Sequence, residues 1–343
     1  MRYPEFLKEN GRIGIIAPSF GCTTEPYESL FRYADEHFRR EGYQTVHGPN
    51  VFSSSGIGKS NTPERCGEEI NDFFQKDLCD VIISAGGGET MCEDLPFVDF
   101  PGIAAAKPRW FMGFSDNTNL TLTLPTLCDT AAVYGPMVSA FGQEPVHPAV
   151  KDAWNVLTGK TAEVRNYPFW ELREDENAPL RAPYNCTERF SSGVYEGREK
   201  RAFSEASGRL LGGCLDCMVT LCGTPFDRVK DFCRRYEEDG VLWFIESCDL
   251  NPMGARRALW QLLSAGWFDT AKGFLIGRPM HYGEEFMGTG HTDAVLDILG
   301  DFGVPVFTDL DIGHLPPAMP VVSGAVGHAE GSEEGFKLRF SFI

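Results

Sequence analysis

The chain has 343 residues, with 31 Lys and Arg against 49 Asp and Glu, a formal net charge of -18, 42% hydrophobic and 23% charged residues. That length suggests two domains, and the apolar share is enough to fill a sizeable core, which excludes disorder over most of the chain. The acidic balance argues against a generic nucleic-acid binder, which needs a basic face, and against attraction to an anionic membrane.

Taken in chain order, the first half alternates strand and helix signals. Arg12–Pro18 is a short β-branched run closed by proline, suited to a buried parallel strand. Tyr27–Arg40 carries Leu30, Phe31, Ala34 and Phe38 at helical spacing. A second strand is expected at Tyr43–His47, a helix at Arg65–Gln75, and a third strand at Val81–Ser84 running into Ala85-Gly86-Gly87-Gly88. Trp110–Gly113 reads as a fourth strand, Asn117–Cys128 as one helix and Ala132–Tyr134 as a fifth strand. Strands alternating with helices predict parallel βαβ units in a doubly wound sheet. Asn166–Lys200, rich in charge, proline and aromatics, has no clean period and reads as a linker or functional loop. Beyond it the pattern predicts helix Gly213–Cys222, strand Gly240–Glu246, helix Arg256–Ala265, strand Gly273–Ile276, helix Thr292–Leu299, strand Val304–Thr308 and a terminal β-hairpin. The expected organisation is an N-terminal α/β domain over 1–165, a connecting segment over 166–200 and a smaller C-terminal α/β domain over 201–343.

The N-terminal residues show no signal-peptide pattern, and no stretch reaches the roughly 18 apolar residues that span a bilayer. The 11 cysteines are odd in number and scattered through apolar segments, which favours a reducing cytoplasm. Cys214 and Cys217 have redox or metal spacing, but no second pair or nearby histidine completes a zinc set, and they read as small core residues. Neither H-E-x-x-H nor a calcium loop occurs, so no metal and no cofactor are expected.

Four segments can carry chemistry. In Gly113-Phe114-Ser115-Asp116-Asn117-Thr118 a strand meets a helix at a serine, either as a nucleophile elbow that exposes the hydroxyl or as a helix N-cap. Gly86-Gly87-Gly88 after a strand can bring amides to a phosphate or an oxyanion, or be a bare turn. Glu246 ends an almost wholly apolar strand, where a carboxylate must be paired, capped or functional. Among 7 histidines, His314 stands in a loop with three prolines, a rigid setting for a catalytic side chain. His281 is its main rival, and His37 reads as structural.

In order along the chain, Ile13–Ser19, the Gly87-Gly88 turn, Gly113–Thr118, Tyr134–Met137, Gly208–Asp216, Cys222–Phe226, Phe244–Glu246, Lys272–Arg278 and Gly313–Ala325 resemble the LD-carboxypeptidase family, which includes the microcin C self-immunity peptidases. The resemblance implies a two-domain serine peptidase with an amidotransferase-like N-terminal sheet and a Ser115–Glu246–His314 triad across a cleft. It also implies a homodimer. In that scheme Ser115 attacks a carbonyl, His314 moves the proton and Glu246 orients the imidazole. Backbone amides of Gly87 or Gly88 and of Asp116 hold the oxyanion. Ser115 and Glu246 should then both lie within hydrogen-bonding reach of His314. Cys214 stands where the family has asparagine, and the glycine turn lacks the form of the murein-recycling branch and is closer to the microcin-immunity branch.

The expected reaction is amide hydrolysis in an L,D-peptide such as a murein tetrapeptide. The alternatives are cleavage of an aminoacyl-nucleotide analogue and a catalytically silent ligand-binding α/β protein. A substrate anion near the triad needs a positive group or a helix N-terminus, and the helix after Ser115 is expected to supply one. Trp170 either covers the cleft and stacks on a base or sugar, or packs its loop onto the surface.

Overall fold

A computed structural model describes residues 1–56 and 58–343. The chain forms two compact units, Met1–Thr161 with Asp175–Pro183, and Ala162–Glu174 with Tyr184–Ile343.

The first unit contains β1 (Arg12–Ile16), α1 (Tyr27–Arg40), β2 (Gln44–His47), α2 (Pro63–Gln75), β3 (Val81–Ser84), α3 (Phe100–Ala105), β4 (Trp110–Gly113), α4 (Thr118–Thr121), α5 (Thr123–Cys128), β5 (Ala132–Tyr134) and α6 (Pro148–Leu157). Its strands run parallel in the order β5-β4-β3-β1-β2. This is a doubly wound order whose switch point lies between β1 and β3, and ligands bind such sheets outside the carboxyl ends of the strands. The sequence explains the layers. β3 and β4 are buried at every position, as a parallel sheet covered on both faces requires. α1 buries Phe31, Ala34 and Phe38 from one stripe, and α2 starts with Pro63 and buries Ile70, Phe73 and Phe74.

The single helix expected over Asn117–Cys128 is instead a 3₁₀ turn (Ser115–Asn117) followed by two short helices, α4 and α5. Pro125 lacks an amide to continue the ladder, and the threonines spend their hydroxyls on the backbone: Thr123 donates to the Asn119 carbonyl, and Thr126 to Leu122, 2.9 Å. The aligned dipole behind Ser115 is correspondingly shorter than expected. Helix α6 escaped the periodicity reading. It is opened by His147, whose Nδ1 accepts the Ala149 amide at 3.2 Å, and by Pro148 at its first position.

In the second unit β6 (Glu163–Arg165) falls within the expected N-terminal domain, and the segment Asn166–Lys200, expected to be irregular, forms short strands: β7 (Phe169–Trp170), β8 (Glu188–Arg189), β9 (Gly193–Glu196) and β10 (Glu199–Lys200). There follow β11 (Phe203–Cys214), α7 (Leu215–Leu221), α8 (Val229–Arg235), β12 (Val241–Glu246), α9 (Pro252–Ser264), β13 (Ala271–Gly277), β14 (Glu285–Phe286), β15 (Thr289–Gly290), α10 (His291–Leu299), β16 (Pro305–Leu310), β17 (Val321–Ser323), β18 (Val326–Ser332) and β19 (Gly335–Ser341). The main sheet runs β10-β9-β16-β13-β12-β11-β18-β19-β6. Its centre, β16-β13-β12-β11, is parallel, and both margins are antiparallel. Because β6 and β9 join this sheet, the unit takes about half the chain and reaches well upstream of residue 201. The helix expected from Gly213 begins two residues later. Gly212 and Gly213 belong to β11, at φ 154 and 146, because a side chain at Gly212 would stand 1.7 Å from the Phe244 carbonyl oxygen of β12.

Candidate active site

In the first unit the candidate residues converge on the carboxyl ends of β1, β3 and β4. Strand β4 ends at Gly113, and Ser115 follows with a left-handed φ of 63. A helix N-cap has extended backbone, so this conformation is that of a tight strand-to-helix turn rather than a cap. A non-glycine residue at positive φ stores strain that its surroundings must hold. Those surroundings are specific. The Ser115 amide donates to the Tyr134 hydroxyl at 3.1 Å. Asn117 Nδ2 donates to the carbonyls of Gly86 and Phe114, both at 3.0 Å, which ties the turn to the glycine loop. A Cβ at Gly113 would meet the Asn117 side chain at 2.8 Å, so only glycine fits there.

The Asp116 side chain faces inward. Its carboxylate accepts from the Ser19 hydroxyl, from the Met91 amide at 3.0 Å and from Asn119 Nδ2 at 3.0 Å. Burial pushes its pKa up, and these donors oppose that shift. Its role there is to lock three loops together.

The glycine loop passes beside the serine. A methyl placed at Gly87 would lie 3.6 Å from Ser115 Oγ, an open contact rather than a clash. At Gly88, with φ 150, a Cβ would come within 2.1 Å of Ser19 Oγ. The Gly87 carbonyl accepts from the Phe20 amide at 2.8 Å, which fixes the turn.

Deeper in the same unit lie two carboxyl groups that the sequence reading passed over. Glu69 of α2 accepts the Ala17 and Asn50 amides, each at 2.9 Å, and burial raises its pKa to about 7. Asp94, 5% exposed, is raised to about 8 by burial and by the charge of Asp116.

In the second unit Glu246 ends β12 and is 1% exposed. It accepts a hydrogen bond from His314 Nδ1 at 2.8 Å. That contact fixes which ring nitrogen faces the carboxylate. Burial works against charge on the imidazole, but the Glu246 carboxylate, with hydrogen bonds to Cys248 and Glu246, outweighs it and raises the pKa of His314. His281, the rival, is paired with Glu284 at 3.0 Å on an exposed turn.

The geometry adds residues to those singled out in the sequence. Asp216, in the first turn of α7, accepts the amides of Cys248 at 3.1 Å and Asp249 at 3.0 Å, and so holds the loop that leaves Glu246. Trp170 is 5% exposed, and its Nε1 donates to the Arg189 carbonyl at 3.1 Å. The Arg278 guanidinium lies 4.7 Å from its ring centre, and Tyr282 meets it edge-on at 4.8 Å. Arg278 is itself buried and bonded to Asp311 and to the Asp309 carbonyl, and burial lowers its pKa to about 10. Trp170 is therefore part of a packed stack rather than an open aromatic platform. Among the described residues no group of three or more His, Cys, Asp or Glu side chains has a metal-binding arrangement, and no helix is long and apolar enough to cross a membrane.

Residues 13–135 match the LD-carboxypeptidase N-terminal domain, and residues 207–328 match the LD-carboxypeptidase C-terminal domain. The chain is 25% identical to a Bacillus subtilis protein named "Probable murein peptide carboxypeptidase", over 94% of this chain and 89% of the relative. It is 22% identical to the Microcin C7 self-immunity protein MccF of Escherichia coli, over 91% of this chain and 88% of the relative. Its fold is similar to a solved structure of MccF in complex with glutamyl sulfamoyl guanosine, with TM-score 0.79, 18% identity and 99% of each chain covered.

Proposed function

The chain belongs to the LD-carboxypeptidase family of serine peptidases, and from that premise we propose that it hydrolyses an amide bond in an L,D-peptide such as a murein tetrapeptide, with Ser115 as nucleophile, His314 as general base and Glu246 as its orienting partner. The observation that carries this reading is the left-handed backbone of Ser115 at the carboxyl end of β4, since that strain has no use in a capping serine. The hydrogen bond from His314 Nδ1 to Glu246 supplies the second half of the machinery.

Ser115 Oγ attacks the substrate carbonyl while the imidazole takes the hydroxyl proton. The acyl-enzyme forms as the protonated His314 returns that proton to the leaving amine. Water, deprotonated by the same imidazole, then releases the acid and frees Ser115. Glu246 keeps the imidazole in the reactive tautomer and stabilises its charged form. The Asp116 amide, one residue past the nucleophile, and the amides of Gly87 or Gly88 are the donors for the developing oxyanion.

A second substrate class, an aminoacyl-nucleotide analogue, is supported by the likeness to MccF, whose solved structure holds glutamyl sulfamoyl guanosine. The buried stack of Trp170 under Arg278 favours the peptide, because a nucleobase has no open face of that indole to stack on. Two measurements test the proposal. A phosphonofluoridate should label Ser115 alone, and labelling should disappear in His314→Ala. Ser115→Ala should lose hydrolysis by roughly 10³-fold or more with an unchanged melting temperature. Retained hydrolysis in that variant rejects the nucleophile, and an unlabelled active serine would leave only a silent binding protein. Turnover of a tetrapeptide muropeptide against an acyl-sulfamoyl-adenylate then separates the two substrate classes.

A further inference from the structure

Cys214 and Cys217 stand around the start of α7. Cys214 is the last residue of β11 and the N-cap of the helix, and Cys217 lies in the first helical turn. N-cap and third helical positions bring their side chains together, as reciprocal capping pairs show. The two thiols are in fact hydrogen-bond partners, and Cys214 Sγ lies 3.4 Å from Asp216 Oδ2. Cys214 is buried and Cys217 half-buried, so Cys217 is the more accessible residue of the pair.

The pair is also coupled to the residues assigned to catalysis. Cys214 is in direct register with Glu246 across the β11–β12 ladder. Asp216, between the two cysteines, holds the amides of Cys248 and Asp249 just beyond Glu246. A bond closed between the sulfurs acts on the first turn of α7, which carries that carboxylate.

We propose that Cys214 and Cys217 are a redox modification site, oxidised to a disulfide by a hydroperoxide and restored by a dithiol, and that closing the bond switches off hydrolysis through Glu246. The coupling to activity rests on the assignment of Glu246 and His314 above. In the first step the Cys217 sulfur attacks the peroxide: an S–O bond forms, the O–O bond breaks and water leaves, giving a sulfenic acid. Cys214 sulfur then attacks that sulfur. The S–S bond forms, the S–O bond breaks, and the thiol proton, taken up by Asp216, leaves with the hydroxide as water. Two thiols and one hydrogen peroxide give one disulfide and two waters.

The test uses the full-length protein treated with hydrogen peroxide and then alkylated. The tryptic peptide Leu210–Arg228 contains Cys214, Cys217 and Cys222. The expected product has lost two hydrogens and carries one alkyl group, at Cys222, and dithiothreitol returns all three thiols. Hydrolysis of the tetrapeptide should fall at least tenfold in the oxidised protein and recover with the reductant. Cys217→Ser should retain basal hydrolysis and resist peroxide. Oxidation that stops at a sulfinic acid, or that links Cys214 to Cys248, overturns the site. A Cys214–Cys217 bond with undiminished hydrolysis overturns the switch. If untreated protein hydrolyses nothing, the peptidase reading fails, while the peptide map still decides the disulfide.

Discussion

At the residue scale, Gly87 and Ser115 show how little space separates a scaffold from a reacting group. Gly87 has no need of a left-handed backbone, and a methyl there would touch Ser115 Oγ at 3.6 Å without a clash. Gly87→Ala should therefore fold with a melting temperature within a few degrees of the parent, yet lose at least tenfold in kcat/KM, because the methyl occupies the approach to the hydroxyl. Gly88 differs: with φ 150 and a Cβ only 2.1 Å from Ser19 Oγ, Gly88→Ala should lower stability as well. Thermal melts and steady-state kinetics on both variants check the contrast. Equal activity of Gly87→Ala and parent would remove Gly87 from the reaction. Neither distinction could be read from the run of three glycines, since what separates them is the neighbour each one faces.

At the element scale, legibility followed the period of the pattern. β3, β4 and β5 were read to the residue because β-branched and aromatic runs bounded by glycine and proline have few alternative structures. The end of β11 reads in the sequence as the start of a helix at Gly213, whereas Gly212 lets the strand lie against the backbone of Phe244. α8 and the strands within 166–200 are too short to express a period. Ser115, Glu246 and His314 were picked out by the order of motifs along the chain. The hydrogen bond joining two of them spans 68 residues, which no local pattern encodes. Asp216 belongs to this class of unreadable residue, and its effect can be measured. It accepts two amides from the loop after Glu246, and each bond to a charged acceptor is worth about 1.5–3 kcal/mol. Asp216→Ala should release that loop, reducing kcat by about tenfold or more. It should also shift the acid limb of the pH–rate profile downward, as His314 loses the carboxylate that raises its pKa. Asp216→Asn keeps one acceptor and should fall between the two. An unchanged acid limb in both variants would confine Asp216 to a structural role.

At the scale of the whole molecule, the protonation of buried groups sets a pH dependence of stability that the net charge of -18 reinforces. Glu69 and Asp94 are held protonated by burial up to about 7 and about 8, against ordinary values of 4.5 and 3.8. Between those limits the folded chain binds more protons than the unfolded one, so stability falls as pH rises, and the loss is complete once pH exceeds the folded values. His314, raised by its carboxylate, acts in the same direction as pH climbs above 6.5. His291 opposes them only in acid: burial lowers it to about 4, so its cost grows as pH falls from 6.5 to that value. The interval from 6.5 to 8 is therefore one in which these groups pull the same way. The melting temperature should decline across it, and Asp94→Asn should flatten the decline, since the amide never ionises and takes the same space. Thermal melts of both proteins at pH 6.5 and pH 8 measure the difference. Parallel slopes would mean that Asp94 is already ionised in the folded protein, and that the three loops locked by Asp116 tolerate a second negative charge beside it.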